Sequence, residues 1–440
     1  MAQYQLQAGD AAELVRNVEA AVASGGLRPG ERLPSVRRLA AQLGLSPGTV
    51  AAGLSELRRR GVVLTEPRRG TRVGEGPPVG VARTLVPVPA GARDLSSGNP
   101  DPELLPDLTR AVATLSLPAR LYGGSPIVPE LGALARRQLS ADGIPAESLC
   151  IVSGALDGIG RVLEARLRPG DRVAVENPGY AELFNLLRAR SLGLEPVAVD
   201  ERGMRPGELR AAIARGARAA IITPRGQNPT GAALDADRAG ELAAVLAKAP
   251  EVLVIEDDHL GPAEACALHT TLGGREAWAA TRSVAKALGP DLRLAVLAGD
   301  ELTVARVHGR QQCGPGWVSH VLQRLVLALW TDRDVQVLVR RARATYARRR
   351  ERLVRLLGAE GICARGASGL NVWIPVEDET GVVAALLQCG WVVAAGAPYR
   401  LAGGAPAIRV TTATLTGREA QGLAADIARV LSGARVSRAG

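Results

Sequence analysis

The stretch EVLVIEDDHL, residues 251–260, decides the fold. An apolar, β-branched run ends abruptly in acids, the pattern of a buried strand whose last residues, Asp257 and Asp258, reach the carboxyl edge of a sheet. Similar runs recur in DRVAVEN (171–177), ARAAIITP (217–224) and RLAVLAGD (293–300), with helical stretches such as Ala232–Leu246 between them. Apolar strands alternating with helices predict an α/β architecture with a mainly parallel sheet, whose ligand sites lie at the carboxyl ends of the strands. From about Val318 the pattern becomes a long basic helix, including RRARATYARRRERLVRLL (340–357). A smaller α+β region with GLNVWIPV (369–376) and AIRVTTA (407–413) follows.

At 440 residues, 47% hydrophobic and 22% charged, the chain has room for a large core and more than one domain. No apolar run approaches a membrane span, and the N-terminus lacks a signal-peptide core, so a cytoplasmic protein with no membrane partner is expected. Five scattered cysteines with no CxxC pair, and four histidines without ligand spacing, exclude a common zinc module and a disulfide framework. No metal is expected. The formal charge of +10 is uneven, because residues 1–73 carry eleven arginines against six acids. Such a head suits a polyanion, nucleic acid before membrane, although arginine-rich coding would give the same balance.

The head contains LPSVRRLAAQLGLSPGTVAAGLSELRRRG (33–61). Ser35 is placed to cap a helix that turns Val36, Leu39, Ala40 and Leu43 to one face. Gly44 suits the positive-φ position of a tight turn, and Ser46 caps a second helix with Pro47 in its first turn and Val50, Leu54 and Leu57 inward. VVLTEPRRGTRV (62–73) reads as a β-hairpin whose tip carries Arg68, Arg69 and Arg72. Together these predict a winged helix-turn-helix, mainly α, for residues 1–73, with Ser46 and Thr49 at the start of the recognition helix. A three-helix protein-interaction module is the competing reading. GEGPPVGVARTLVPVPAGAR (74–93) reads as a linker to a body of residues 94–435, its large part about 94–320 and its C-terminal subdomain about 340–435.

The body carries a constellation suited to pyridoxal 5'-phosphate, which needs a lysine amine, an acid for the ring nitrogen and a phosphate cradle. The chain has two lysines, Lys248 and Lys286. RSVAKALGPDLRL (282–294) sets Lys286 between Ser283 and Arg293, whereas Lys248 lies near a helix end without such neighbours. Asp257 ends an apolar strand, where an acid either pairs with a pyridinium or simply forms a turn. Asn228 opens the tetrapeptide Asn228-Pro229-Thr230-Gly231, which suits a donor to the cofactor hydroxyl or an ordinary β-turn. VSGALDGIGRVL (152–163) reads as strand, glycine turn and helix, whose first amides make an anion site. ENPGYAELF places Tyr180 after a strand, in position to stack on a ring.

The head string LRPGERLPSVRRLAAQLGLSPGTV closely resembles the GntR-type winged helix over about residues 8–73. That likeness implies double-stranded DNA contact through Ser35, Arg37, Arg38, Ser46, Thr49, Arg68, Arg69 and Arg72. In order and spacing the body motifs resemble fold-type I aminotransferases over roughly 94–435. This second likeness implies that Lys286 forms the cofactor aldimine, Asp257 pairs with the ring nitrogen, Asn228 contacts the hydroxyl oxygen and Tyr180 stacks. Gly154, Ala155, Leu156, Ser283 and Arg293 would hold the phosphate, and Arg409 would take a substrate or effector carboxylate. Tyr122, in RLYGGSP, matches a tyrosine that reaches the phosphate of a neighbouring subunit, which implies a homodimer. Ile127 and Gly132 depart from the pattern around it. His259 stands where a tyrosine is expected; it could donate to the cofactor hydroxyl, and it titrates near neutrality.

End to end, the chain resembles the MocR subgroup of bacterial regulators. The resemblance implies a transcriptional regulator whose body senses pyridoxal phosphate, or its adduct with a small amine or amino acid. An active aminotransferase carrying a DNA-binding head is the alternative, and a pure enzyme with a vestigial head is a third reading.

Overall fold

The computed structural model describes residues 7–24, 26–59, 62–66, 70–74, 88–401 and 404–436. The chain forms two compact units, one built around residues 1–85 and the other holding most of residues 86–440.

The first unit packs three helices and a hairpin: α1 (Ala11–Ala23), α2 (Val36–Leu43), α3 (Pro47–Arg59), β1 (Val63–Glu66) and β2 (Gly70–Val73). Ser35 caps α2 by accepting from Arg38 N, and Gly44 closes it in the left-handed region at φ 68°. Ser46 Oγ accepts from Thr49 N at 3.0 Å, fixing the first turn of α3. Leu14, Val18, Leu39, Ala40, Val50, Leu54 and Leu57 are buried together, while Val36 and Leu43 only flank that core. At Gly53 a Cβ would sit 2.9 Å from the Leu14 side chain and 3.2 Å from the Ala11 carbonyl, so α1 and α3 meet where α3 has no side chain. One expectation needs correction. Arg72 is not at the hairpin tip but within β2, opposite Leu64, two residues inside the Glu66–Gly70 pair. Arg68 and Arg69 lie outside the described residues.

The body is centred on an eight-stranded sheet. Its strands are β3 (Leu149–Val152), β4 (Arg172–Asn177), β5 (Gly193–Asp200), β6 (Gly203–Met204), β7 (Ala217–Ile222), β8 (Leu253–Asp258), β9 (Trp278–Ser283) and β10 (Ala295–Gly299). They lie in the order β3-β10-β9-β8-β7-β4-β5-β6. β9, β8, β7 and β4 pair in parallel, and β10 runs antiparallel to both of its neighbours. All six residues of β8 and of β9 are buried, as expected for strands covered on both faces. The helix expected over Ala232–Leu246 begins only at Ala236, where Asp235 caps it by accepting from Arg238 N. Helix α4 (Ala155–Arg166) follows β3 directly.

Beyond the sheet, the basic helix α5 (Arg333–Ala359) buries Ala342, Tyr346, Leu353 and Leu357. A small antiparallel sheet contains β11 (Asn371–Pro375), β12 (Ala394–Ala395) and β13 (Ala407–Thr411), in the order β11-β13-β12. Arg93–Asp94 pair with Trp391–Val392, and Leu95 joins the core formed by Leu353, Val372, Ile374, Ile408 and Val410. The chain therefore enters the body through its C-terminal region before building the large sheet.

Candidate functional site

The carboxyl ends of β8 and β9 are in register, with Thr281 beside Asp257, and Thr281 Oγ1 donates to Asp257 Oδ1 at 3.0 Å. Burial raises the Asp257 carboxyl above its ordinary range, against the opposing pull of His259 and the Thr281 hydrogen bond. Strand alternation sends Asp258 to the other face. There it receives Arg225 Nε at 2.9 Å, Arg225 Nη2 at 3.0 Å and Arg282 Nε at 2.8 Å. Burial alone would raise Asp258, but these two guanidiniums hold it below the usual carboxylate range. The adjacent acids are thus split into a charged structural anchor and a carboxyl with a single hydroxyl donor at the strand end.

Lys286 Nζ donates to the Gly98 carbonyl at 2.7 Å. Gly98 is held in the left-handed region at φ 68°, where a side chain is strained, and it lies against the guanidinium of Arg409, 3.6 Å from an ideal Cβ. Arg409 is 1% exposed on β13, which rules out an outward-facing strand arginine. Its Nη1 donates to Asn228 Oδ1 at 3.1 Å, its Nη2 donates to the Ser96 carbonyl, and its guanidinium lies 4.8 Å from the Tyr399 ring centroid. Lys286, Arg409 and Asn228, distant in sequence, are joined through Gly98.

At the start of α4, Gly154 occupies the cap position at φ 101° with no side chain closing the helix end. A Cβ there would lie 3.2 Å from Arg293 Nη2, so glycine leaves room between the Ala155 and Leu156 amides and an arginine. Arg293 itself is held at φ 43°. Ser283 Oγ accepts from Ala285 N at 3.2 Å, one residue before Lys286. Open helix amides facing a guanidinium make an anion cradle. A lysine amine, a buried carboxyl, a fixed asparagine and this cradle fit pyridoxal phosphate.

Some expected residues are engaged elsewhere. His259 Nε2 lies 2.9 Å from the Gly226 carbonyl, which makes that nitrogen a donor to backbone. Tyr180 is half-buried in the turn after β4. Tyr122 is 91% exposed and packs edge-on to Trp317, with ring centroids 5.6 Å apart. Sequence reasoning missed Arg225, Arg282, Gly98, Tyr399 and Glu176. Arg225 and Glu176 stand beside the motifs GQNPTG and NPGY, whereas nothing local marks Gly98 or Tyr399.

In the head, Ser35, Arg37, Arg38 and Ser46 are exposed and Thr49 is half-buried. The Thr49 hydroxyl is 2.8 Å from Ser46 Oγ. Among the described residues no helix is long and apolar enough to cross a membrane, and no group of His, Cys, Asp and Glu is placed to hold a metal.

Comparison with known proteins matches residues 10–73 to the family "Bacterial regulatory proteins, gntR family" and residues 92–427 to "Aminotransferase class I and II". The chain is 41% identical to the vitamin B6 salvage pathway transcriptional repressor PtsJ of Salmonella typhimurium, over 96% of this chain and 98% of that protein. It is 30% identical to the HTH-type transcriptional regulator TauR of Rhodobacter capsulatus, over 80% of each. Among solved structures it is similar to LysN, an alpha-aminoadipate aminotransferase of Thermus thermophilus complexed with N-(5'-phosphopyridoxyl)-L-leucine. That likeness has a TM-score of 0.70 and 21% identity, covering 79% of this chain and 94% of the other.

Proposed function

The chain belongs to the GntR family of bacterial regulators in its MocR-type form, a gntR-type head on a class I and II aminotransferase domain, and from this premise we propose that its body reports pyridoxal phosphate, or an adduct with a small amine or amino acid, to the DNA-binding head. Identity to the Salmonella repressor supports repression of vitamin B6 salvage genes as the output. The observation that carries the reading is where Lys286 and Arg409 are engaged. They hold the carbonyls of Gly98 and Ser96, which follow closely on the 74–93 linker between head (1–73) and body (94–435). A ligand that engages both side chains competes with both bonds, and so bears on the segment where the head is attached.

When bound, pyridoxal phosphate supplies an aldehyde that condenses with primary amines and an electron-withdrawing ring. Lys286 presents the amine that holds the aldehyde end. Asp257 would pair with the ring nitrogen, whose protonated form an ionised carboxylate there would favour. With its Oδ1 accepting from Arg409, Asn228 has its Nδ2 left to donate to the ring hydroxyl oxygen. Tyr180 would cover a ring face, and the amides of Gly154, Ala155 and Leu156 with Ser283 and Arg293 would hold the phosphate. Arg409 orients an effector carboxylate. The exposure of Tyr122 suits reach into a second copy's phosphate site, making the protein a homodimer with two heads for paired half-sites. Ser35, Arg37, Arg38 and Ser46, which are exposed, would contact DNA together with Thr49 and the arginines Arg68, Arg69 and Arg72.

The test is binding of the full chain to DNA upstream of its own gene, with and without pyridoxal phosphate, beside Lys286→Ala. A cofactor-dependent change in affinity or footprint that Lys286→Ala abolishes is expected. An unchanged response in that variant would overturn sensing through the lysine. Amino transfer to a 2-oxo acid at a metabolically useful rate would instead favour the active aminotransferase, a reading the match over 92–427 supports.

A further inference from the structure

Glu176 is buried at the end of β4, 6% exposed, and neither of its oxygens is idle. Oε1 accepts from Thr223 N at 3.0 Å and Oε2 accepts from Gln227 Nε2 at 3.2 Å. Gln227 is fully buried and uses every position of its amide. Its Nε2 also donates to the Pro178 carbonyl at 2.8 Å, and its Oε1 accepts from Thr230 N at 3.0 Å and Thr230 Oγ1 at 2.5 Å. These partners dictate the orientation of the amide: turned over, it would set its NH2 against the Thr230 N–H and its oxygen against the Pro178 carbonyl.

The residues so tied are those that flank the site. Gln227 and Thr230 bracket Asn228. Pro178 leads into the turn that carries Tyr180, and Gly179 N donates to the Tyr399 carbonyl at 2.8 Å. Tyr399 lies under Arg409, which donates to Asn228. The contacts close a circuit from Asn228 through Arg409, Tyr399, Gly179, Pro178 and Gln227 back to Asn228, and Glu176 braces it from the sheet.

Resting on the cofactor reading above, we propose that Glu176 and Gln227 are positioning residues for pyridoxal phosphate, a clamp that fixes the hydroxyl donor Asn228 and the Tyr180 turn relative to each other. The clamp requires a carboxyl at 176. Two N–H donors converge on it, and an ionised carboxylate offers an acceptor oxygen to each. Glutamine offers one acceptor and turns an NH2 group onto the other donor. Burial raises Glu176 to about 7, and the hydrogen bonds from Thr223 and Gln227 oppose that rise by favouring the ionised form with its two acceptors.

The experiment uses the full chain titrated with pyridoxal phosphate, reading affinity by fluorescence and the position of the visible absorption band of the bound cofactor. Glu176→Gln is expected to weaken uptake about ten-fold, the effect of one buried donor left unmet. It should also move the band in the same direction as Asn228→Ala, and the double variant should move it no further than Asn228→Ala alone. Additive shifts, or a Glu176→Gln protein with wild-type affinity and band, overturn the clamp. Should Glu176→Gln not fold, Thr230→Val removes the hydroxyl on Gln227 Oε1 and must show the same non-additivity with Asn228→Ala. A wild-type chain that takes up no cofactor overturns the underlying reading and the clamp with it; a wild-type chain that does, with variants indistinguishable from it, overturns the clamp alone.

Discussion

Glu256 tests the energetics of the sheet without touching the site. It precedes Asp257 on β8, so alternation turns it to the opposite face, where it is 1% exposed. Its Oε1 accepts from Thr271 N at 2.7 Å and Thr271 Oγ1 at 2.8 Å, and its Oε2 accepts from Thr270 Oγ1 at 2.9 Å. Burial outweighs these bonds and raises the carboxyl from 4.5 to about 7. The folded state therefore holds the proton more tightly than the unfolded chain. Its contribution is fully present below pH 4.5 and is lost as pH rises to about 7. At 1.36 kcal/mol per pKa unit the loss amounts to about 3 kcal/mol. Glu256→Gln keeps an acceptor for Thr271 and can donate to Thr270 Oγ1, but it does not ionise. The variant should match wild type near pH 4.5 and exceed it by about 3 kcal/mol at pH 8. Urea unfolding followed by tryptophan fluorescence reads this directly, because Trp278, Trp317, Trp330, Trp373 and Trp391 all belong to the body. Glu176 titrates in both proteins and cancels in the difference. A gap between variant and wild type that does not change with pH would refute the reasoning.

Arg225→Ala should leave the buried Asp258 with one guanidinium, that of Arg282, and cost about 3–5 kcal/mol, seen as a lower body unfolding midpoint in the same urea experiment; an unmoved midpoint would show the pair to be dispensable. Ser46→Ala removes the acceptor of the Thr49 N–H and should destabilise the head by about 1 kcal/mol, measurable by hydrogen exchange of α3 amides, with no change in body unfolding. Arg409→Ala should retain pyridoxal phosphate, read from its visible band, while losing the response of that band to amino acids but not to simple amines. Equal loss of both responses would place the carboxylate site elsewhere.

The elements were legible where one short stretch contains its own reason to fold. The run before Asp257 is apolar and β-branched, and β8 forms over Leu253–Asp258. Ser35, Gly44 and Ser46 punctuate the head, and caps and turn appear at those residues. Boundaries failed where a cap competes with apolar periodicity: Asp235 starts its helix four residues after the apolar pattern begins at Ala232. Register was the other blind spot. Arg72 was expected at the hairpin tip, but strand pairing sets it opposite Leu64 inside β2, and no side-chain pattern announces that register.

The site was legible as a set of residue types and not as a set of partners. Asp257 and Asp258 are identical in type and adjacent, yet one is pulled below its usual range by two arginines while burial raises the other. The difference lies in Arg225 and Arg282, which arrive from the loop after β7 and from β9 respectively, and only the fold brings them to one face of β8. His259 shows the same limit. By type, histidine could replace tyrosine as a donor to the cofactor hydroxyl. In the fold its Nε2 donates to the Gly226 carbonyl, and a neutral ring has no second N–H to give. Only as an imidazolium could it serve both the backbone and a ligand. On the proposed cofactor reading the donor to the hydroxyl would then be Asn228, a residue held by Arg409 on its side chain and by the Gln227–Thr230 bonds across its backbone.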